Sequence, residues 1–188
     1  MKPSDMDIRW HGRGGQGAIT AAKIVANVAF ASGYPGVAMI PTFGTERRGA
    51  PVFTSLKLSR NEIYDLSPIE QPDVIVILDE HLITEANVTV GIRPGGTIVI
   101  NTHKPVDAFH FDNVTTAVAD VSEIAAEAGL PRAIVNTGII GAFARATGLV
   151  EIEPLLAAIE KEFDGKRARR NAEAARLAYE RTQIGENK

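Results

Sequence analysis

Apolar residues recur along this chain in two rhythms, and the switches between them mark alternating strands and helices. A short apolar segment over residues 7–11 precedes an alanine-rich helical pattern over 18–31, with a glycine-rich turn between them. Residues 37–40 read as a second short strand, followed by a charged loop over 41–51. Residues 52–59 then alternate, with Val52, Thr54, Leu56 and Leu58 on one face and Phe53, Ser55, Lys57 and Ser59 on the other, the period of a half-covered strand. Residues 73–78 are instead almost continuously apolar, as a strand buried on both faces requires, and the run ends at Asp79-Glu80 before a short helical stretch.

Arg93-Pro94-Gly95-Gly96 turns the chain into another buried strand over 97–101, and 114–119 makes a further one. Asp120 is placed to cap a helix starting at Val121, with Glu123 completing a capping-box pattern and Gly129 as the stop. Residues 137–146 predict a helix closed by Gly148, Pro154 suits the first position of the next, and 166–183 predict a last helix with a stripe through Ala172, Ala175 and Tyr179. The expected fold is one α/β domain over 1–188: a three-layer α/β/α arrangement opening on a glycine-rich strand-turn-helix. The alternating 52–59 strand argues for a mixed, mostly parallel sheet.

Composition narrows the chemistry. With 188 residues and 45% hydrophobic content, the chain can bury a sizeable core, and no apolar run approaches the roughly 20 residues that span a bilayer. Residues 1–7 do not resemble a signal peptide, so a cytoplasmic location is expected. The net charge of -3, with basic residues collected only at Arg47-Arg48 and over 166–170, argues against nucleic acid as a partner. Without cysteine the polypeptide offers no thiolate nucleophile and no cysteine ligand for an iron–sulfur cluster, which must therefore sit on a partner if one is used.

Candidate chemistry centres on Gly12-Arg13-Gly14-Gly15-Gln16-Gly17. Glycines between a strand and a helix let the backbone bend tightly and present helix-start N–H groups to an anion. A dinucleotide site also needs an acid about 20 residues on, at the end of the second strand. Here that strand runs into Pro41-Thr42, and Ala18-Ile19 replaces the Lys-Ser/Thr of a P-loop. What survives is a generic phosphate cradle to which Arg13 can add, or a turn whose glycines serve close packing. Arg47 and Arg48 are likewise either solvated charges or contact residues in a loop shaped by Phe43, glycines and prolines. The four histidines share no metal-ligand spacing, adjacent Asp79 and Glu80 point apart and read as helix-start acids, and no nucleophile-elbow pattern occurs. No catalytic residue is assigned.

Four segments carry a family resemblance: Trp10-His11-Gly12-Arg13-Gly14-Gly15-Gln16-Gly17, Phe43-Gly44-Thr45-Glu46-Arg47-Arg48-Gly49-Ala50-Pro51, Val135-Asn136-Thr137 with Gly141-Ala142-Phe143, and residues 171–179. Together they resemble the gamma subunit of 2-oxoacid:ferredoxin oxidoreductases, in the pyruvate or branched-chain form. Thr45 stands where that family commonly has proline. The resemblance implies an assembly with alpha, beta and delta-type subunits that decarboxylates a 2-oxoacid on thiamine diphosphate, reduces ferredoxin through iron–sulfur clusters and forms an acyl-coenzyme A. This chain has neither cysteine nor a Gly-Asp-Gly diphosphate segment, so its expected share is assembly and active-site closure. On that reading Gly12, Arg13, Gly14, Gly15, Gln16 and Gly17 with Arg47 and Arg48 face partner subunits near the active site. The two loop arginines would bind coenzyme A phosphates or acidic groups of a neighbour. A purely structural subunit and a free-standing nucleotide-binding domain are the alternatives.

Overall fold

The computed structural model describes residues 3–42 and 48–187. Seven strands form one sheet: β1 (Asp5–Arg13), β2 (Gly36–Pro41), β3 (Pro51–Ser59), β4 (Val74–Ile77), β5 (Thr97–Asn101), β6 (Val114–Ala119) and β7 (Gln183–Asn187), in the order β2-β3-β1-β4-β5-β6-β7. β1, β4, β5 and β6 are mutually parallel. β3 runs antiparallel to both β1 and β2, and β7 antiparallel to β6, so the sheet is mixed as its alternating strand predicted.

Among the described residues six helices connect or flank these strands: α1 (Ala18–Ala31), α2 (Leu82–Glu85), α3 (Val121–Glu127), α4 (Asn136–Thr147), α5 (Ile152–Glu162) and α6 (Gly165–Arg181). One face of the sheet carries Ile8, Trp10, Leu56, Leu58, Val74 and Val76 into a core shared with α1, α4, α5 and α6. Trp10 is fully buried there, with its ring 5.2 Å from that of Phe143. The other face carries Ile75, Ile77, Ile98 and Ile100, which explains the unbroken apolar run of β4: alternate residues enter different cores. This second face is covered thinly, by α2, a 3-10 turn at Val106–Ala108 and connecting segments.

Local signals set most boundaries. Asp120 Oδ1 accepts the Glu123 N–H at 3.0 Å and starts α3, while the Glu123 carboxylate pairs with Arg132. Gly148, left-handed at φ 62°, ends α4. Pro154 occupies the third position of α5 and not the expected first; it is still within the initial turn, where a missing N–H costs no helical bond. The last helix ends at Arg181, two residues before the expected limit, because the chain crosses to β6 and adds β7 at the sheet edge.

The tightest contact in the helical layer joins α4 and α6. A Cβ at Gly141 would lie 1.9 Å from the Ala175 carbonyl oxygen, so the two backbones touch where that glycine stands. Beside it, the buried Thr137 hydroxyl donates to Asn171 Oδ1 at 2.8 Å, and Asn171 Nδ2 donates to the Arg167 carbonyl at 2.8 Å. Two of the four segments that carried the resemblance are therefore the two halves of one helix–helix junction.

Candidate functional site

β1 continues to Arg13, which pairs with Pro51 at the start of β3, so the glycine turn and the arginine loop leave the same end of neighbouring strands. Gly14 N–H donates to the Ala50 carbonyl at 2.9 Å, and Gly49 N–H returns a bond to the Gly14 carbonyl at 3.1 Å. Within the turn, Gln16 N–H donates to the Arg13 carbonyl at 2.9 Å and Gln16 Oε1 accepts the Arg13 N–H at 2.7 Å. Two segments some 30 residues apart in the chain form one connected edge.

The glycines divide by what surrounds them. Gly17 has φ 82° and packs on the start of α4, where an added Cβ would meet Asn136 Nδ2 at 2.9 Å. A Cβ at Gly12 would crowd Gln16 and Ala18, at 3.3 and 3.4 Å. Gly15, at φ 93°, is open: its added Cβ would find only the Arg48 side chain, 4.0 Å away. Among the described residues the N–H groups of Gly15 and Gly17 have no internal acceptor, and Arg48 stands beside Gly15. Arg47 lies outside the described residues, as do Phe43, Gly44, Thr45 and Glu46.

Arg13 is occupied within the chain. Its guanidinium donates from Nε to Asp79 at 2.5 Å, from NH2 to Glu85 at 2.8 Å and from NH1 to the Gly49 carbonyl at 3.3 Å. Hydrogen bonds to Asp79 and then Glu85 hold its pKa above the ordinary arginine value. The side chain thus ties the glycine turn to the exit of β4, to α2 and to the second loop.

Next to Gln16 a cleft of about 460 Å³ opens across the carboxyl ends of β4, β5 and β6. The sheet changes winding direction between β1, which leads outward to β2, and β4, which leads through β5 to β6; crevices at such switch points are where α/β sheets bind ligands. Asp79 and Glu80 diverge at its rim as expected of adjacent residues. Asp79 turns to Arg13 and caps the following turn through the His81 N–H at 3.0 Å. Glu80 accepts from Thr102 at 2.8 Å and pairs with Lys104 at 3.0 Å. Burial works against Glu80 ionisation, but the hydrogen bonds from Thr102 and Lys104 outweigh it and lower its pKa. Asn101 closes the floor, donating to the Leu78 carbonyl at 3.0 Å and accepting the Val121 N–H at 3.0 Å. Of the residues that no motif marks, Asn101 has a signal in sequence, as the polar residue closing the apolar run of β5, whereas Lys104 and Arg132 lie in connecting segments and have none.

The described residues contain no cluster of three His, Asp or Glu suited to a metal, and the chain has no cysteine. Without cysteine, this polypeptide offers no thiolate ligand to an iron–sulfur cluster.

The sequence pattern of the Pyruvate ferredoxin/flavodoxin oxidoreductase family matches residues 7–181. The chain belongs to that family. Within this oxidoreductase family it is 44% identical over 186 residues to the Pyruvate/ketoisovalerate oxidoreductases common subunit gamma of Pyrococcus abyssi, an alignment covering 96% of this chain and 99% of the relative. It is 44% identical over 176 residues to Pyruvate synthase subunit PorC of Methanothermobacter marburgensis, covering 94% and 97%. Among solved structures, pyruvate oxidoreductase subunit PORC of Thermotoga maritima superposes with a TM-score of 0.83 at 33% identity, over 98% of this chain and 100% of that one. The family match thus takes in β2 to β6 and nearly all of β1, including the antiparallel β3, and ends before β7.

Proposed function

We propose that this chain is the gamma subunit of a 2-oxoacid:ferredoxin oxidoreductase, and that its glycine turn and arginine loop form one wall of a site completed by partner subunits. The enzyme oxidatively decarboxylates pyruvate or a branched-chain 2-oxoacid to an acyl-coenzyme A and passes the electrons to ferredoxin. Thiamine diphosphate and iron–sulfur clusters belong to the alpha, beta and delta-type subunits, and this chain, a single domain over 1–188, supplies assembly and closure over coenzyme A. Among its described residues no helix is long and apolar enough to cross a membrane, and we assign the complex to the cytoplasm.

One observation carries the reading: the reciprocal Gly14–Gly49–Ala50 hydrogen bonds hold the two motifs side by side, with Arg48 next to Gly15, whose N–H has no internal acceptor among the described residues. A guanidinium fork beside backbone donors suits a phosphate of coenzyme A and equally a carboxylate of a neighbour. The Pyrococcus relative is named a subunit common to pyruvate and ketoisovalerate oxidoreductases, which supports leaving the choice of 2-oxoacid to other chains.

The test is an Arg47→Ala, Arg48→Ala variant assembled into the complex and assayed for pyruvate- and coenzyme A-dependent reduction of a low-potential acceptor. A contact with coenzyme A predicts a KM for coenzyme A raised about tenfold or more, as loss of one charge-assisted contact implies. A complex that falls apart with unchanged kinetics in its assembled fraction assigns the arginines to the subunit interface. Purification of the complex with neither a thiamine-binding nor a cluster-bearing chain overturns the functional reading itself.

A further inference from the structure

β2 is the outermost strand at one end of the sheet, paired with β3 on one side and, among the described residues, with no strand on the other. The ladder fixes which of its backbone groups face outward. Thr42 N–H donates to the Phe53 carbonyl at 3.1 Å, and in an antiparallel pair the residues that bond to the neighbour alternate with those that do not. Counting back from Thr42, residues Ile40, Ala38 and Gly36 bond to β3, so Val37 and Met39 turn their N–H and C=O groups to the open side. Pro35 and Pro41 fall on the same outward series and have no N–H to offer.

Open edges are normally blunted by a charged side chain, by a bulge or by a covering segment. Residues 33–42 contain no charge, and the register with β3 runs unbroken from Gly36–Ser59 to Pro41–Thr54. Val37, Ala38, Met39 and Ile40 are each half-buried, so this apolar strand is not sealed within its own chain.

We infer that β2 pairs with β2 of a second copy of this chain, antiparallel about a two-fold axis at Ala38, joining two seven-stranded sheets into one. The edge is complementary to itself in that register. Val37 lies opposite the partner's Met39 and Met39 opposite the partner's Val37, and each pair exchanges both of its backbone hydrogen bonds. Pro35 then lies opposite the partner's Pro41, so the positions without a donor meet each other. Ala38 faces the partner's Ala38 at the closer, non-hydrogen-bonded spacing of about 4.5 Å between Cα atoms, where a small side chain is accommodated. Sliding the strands by two residues sets Met39 against Pro35, or Val37 against Pro41, and leaves a carbonyl without a donor in either case. The placing of two prolines symmetrically about Ala38 points to a second copy over a strand of another chain, because an isologous contact needs that symmetry and a contact between different chains does not. Such pairing requires no other subunit and is independent of the oxidoreductase reading.

The test follows the full-length chain by sedimentation equilibrium over a concentration series, as wild type and as Ala38→Glu. Ala38 stands opposite Lys57 of β3, so a glutamate there has a cation beside it within its own chain, while across the axis it meets a second carboxylate. Wild type is expected to form a dimer, and Ala38→Glu to raise its dissociation constant about tenfold or more. A second measurement uses the absence of cysteine from the chain. Ala38→Cys brings two thiols to a spacing that a disulfide spans, so mild oxidation should give a covalent dimer. In Ile40→Cys the two thiols lie about 14 Å apart along the paired strands, and the same treatment should leave the chains separate. A wild-type chain that stays monomeric throughout, an Ala38→Glu dimer as tight as wild type, or equal cross-linking of the two cysteine variants would each overturn the pairing.

Discussion

At the scale of single residues, His11 sets a pH limit on the fold. Burial, reinforced by the Arg9 charge, lowers its pKa from 6.5 to about 3, so the folded chain keeps the imidazole neutral where the unfolded chain protonates it. Stability is therefore whole above pH 6.5 and falls as the pH drops toward 3, because the unfolded state binds the proton first. Between pH 7 and 5 the loss attributable to this group is at most about 2 kcal/mol, at roughly 1.4 kcal/mol per pH unit below 6.5. Urea denaturation of wild type and His11→Phe, which keeps the stacking on Phe53, should give curves that diverge through this window; parallel curves would show that His11 titrates normally. Glycine substitutions divide on equally local grounds. Gly49→Ala meets no atom within 4 Å and bears only the strain of φ 87°, on the order of 1 kcal/mol. Gly17→Ala adds to φ 82° a contact of 2.9 Å with Asn136, and its cost should exceed that of Gly49→Ala in the same denaturation experiment.

At the scale of elements, the α4–α6 junction is the place where one methyl group matters most. Gly141→Ala would set a Cβ 1.9 Å from a backbone oxygen that has no rotamer to escape into, so the helices must separate. A loss of about 3 kcal/mol or more is expected, the upper range for overpacking, whereas Gly148→Ala, with nothing within 4 Å, should lose about 1 kcal/mol. Thermal melts of the two variants compare them directly. The sequence marked these helices through periodicity and end signals, and it marked β4, β5 and β6 through apolar runs, because each of those elements contains its own pattern. β7 contains none: Gln-Ile-Gly-Glu-Asn has one apolar residue, and its extended form comes from pairing with β6. The sparse covering of the second sheet face was also illegible, since Ile75, Ile77, Ile98 and Ile100 demand burial without specifying whether helix or coil provides it.

At the scale of the whole molecule, what was legible in the site was its membership more than its wiring. The glycine turn and the arginine loop could be recognised from residue types, but their junction depends on β3 inserting antiparallel beside β1, a long-range pairing that neither segment encodes alone. Arg13 illustrates the same limit. By sequence it is a cation in a glycine turn, free to meet a phosphate; its partners Asp79 and Glu85 lie 66 and 72 residues away, and only the β1–β4 pairing brings them to it. This makes Arg13 a positioning residue for the proposed site wall, tying the turn, the β4 exit, α2 and the loop carbonyl of Gly49 into one body. Arg13→Met removes those ties while sparing the sheet, so hydrogen exchange should accelerate at the Gly14 and Gly49 amides and stay unchanged in β4 and β5. The same variant in the assembled complex should raise the KM for coenzyme A without altering 2-oxoacid-dependent decarboxylation measured in its absence. Faster exchange with an unchanged KM would separate the wall from the site, leaving Arg13 a purely structural tie. Unchanged exchange would show that the Gly14–Gly49–Ala50 hydrogen bonds hold the two motifs together on their own.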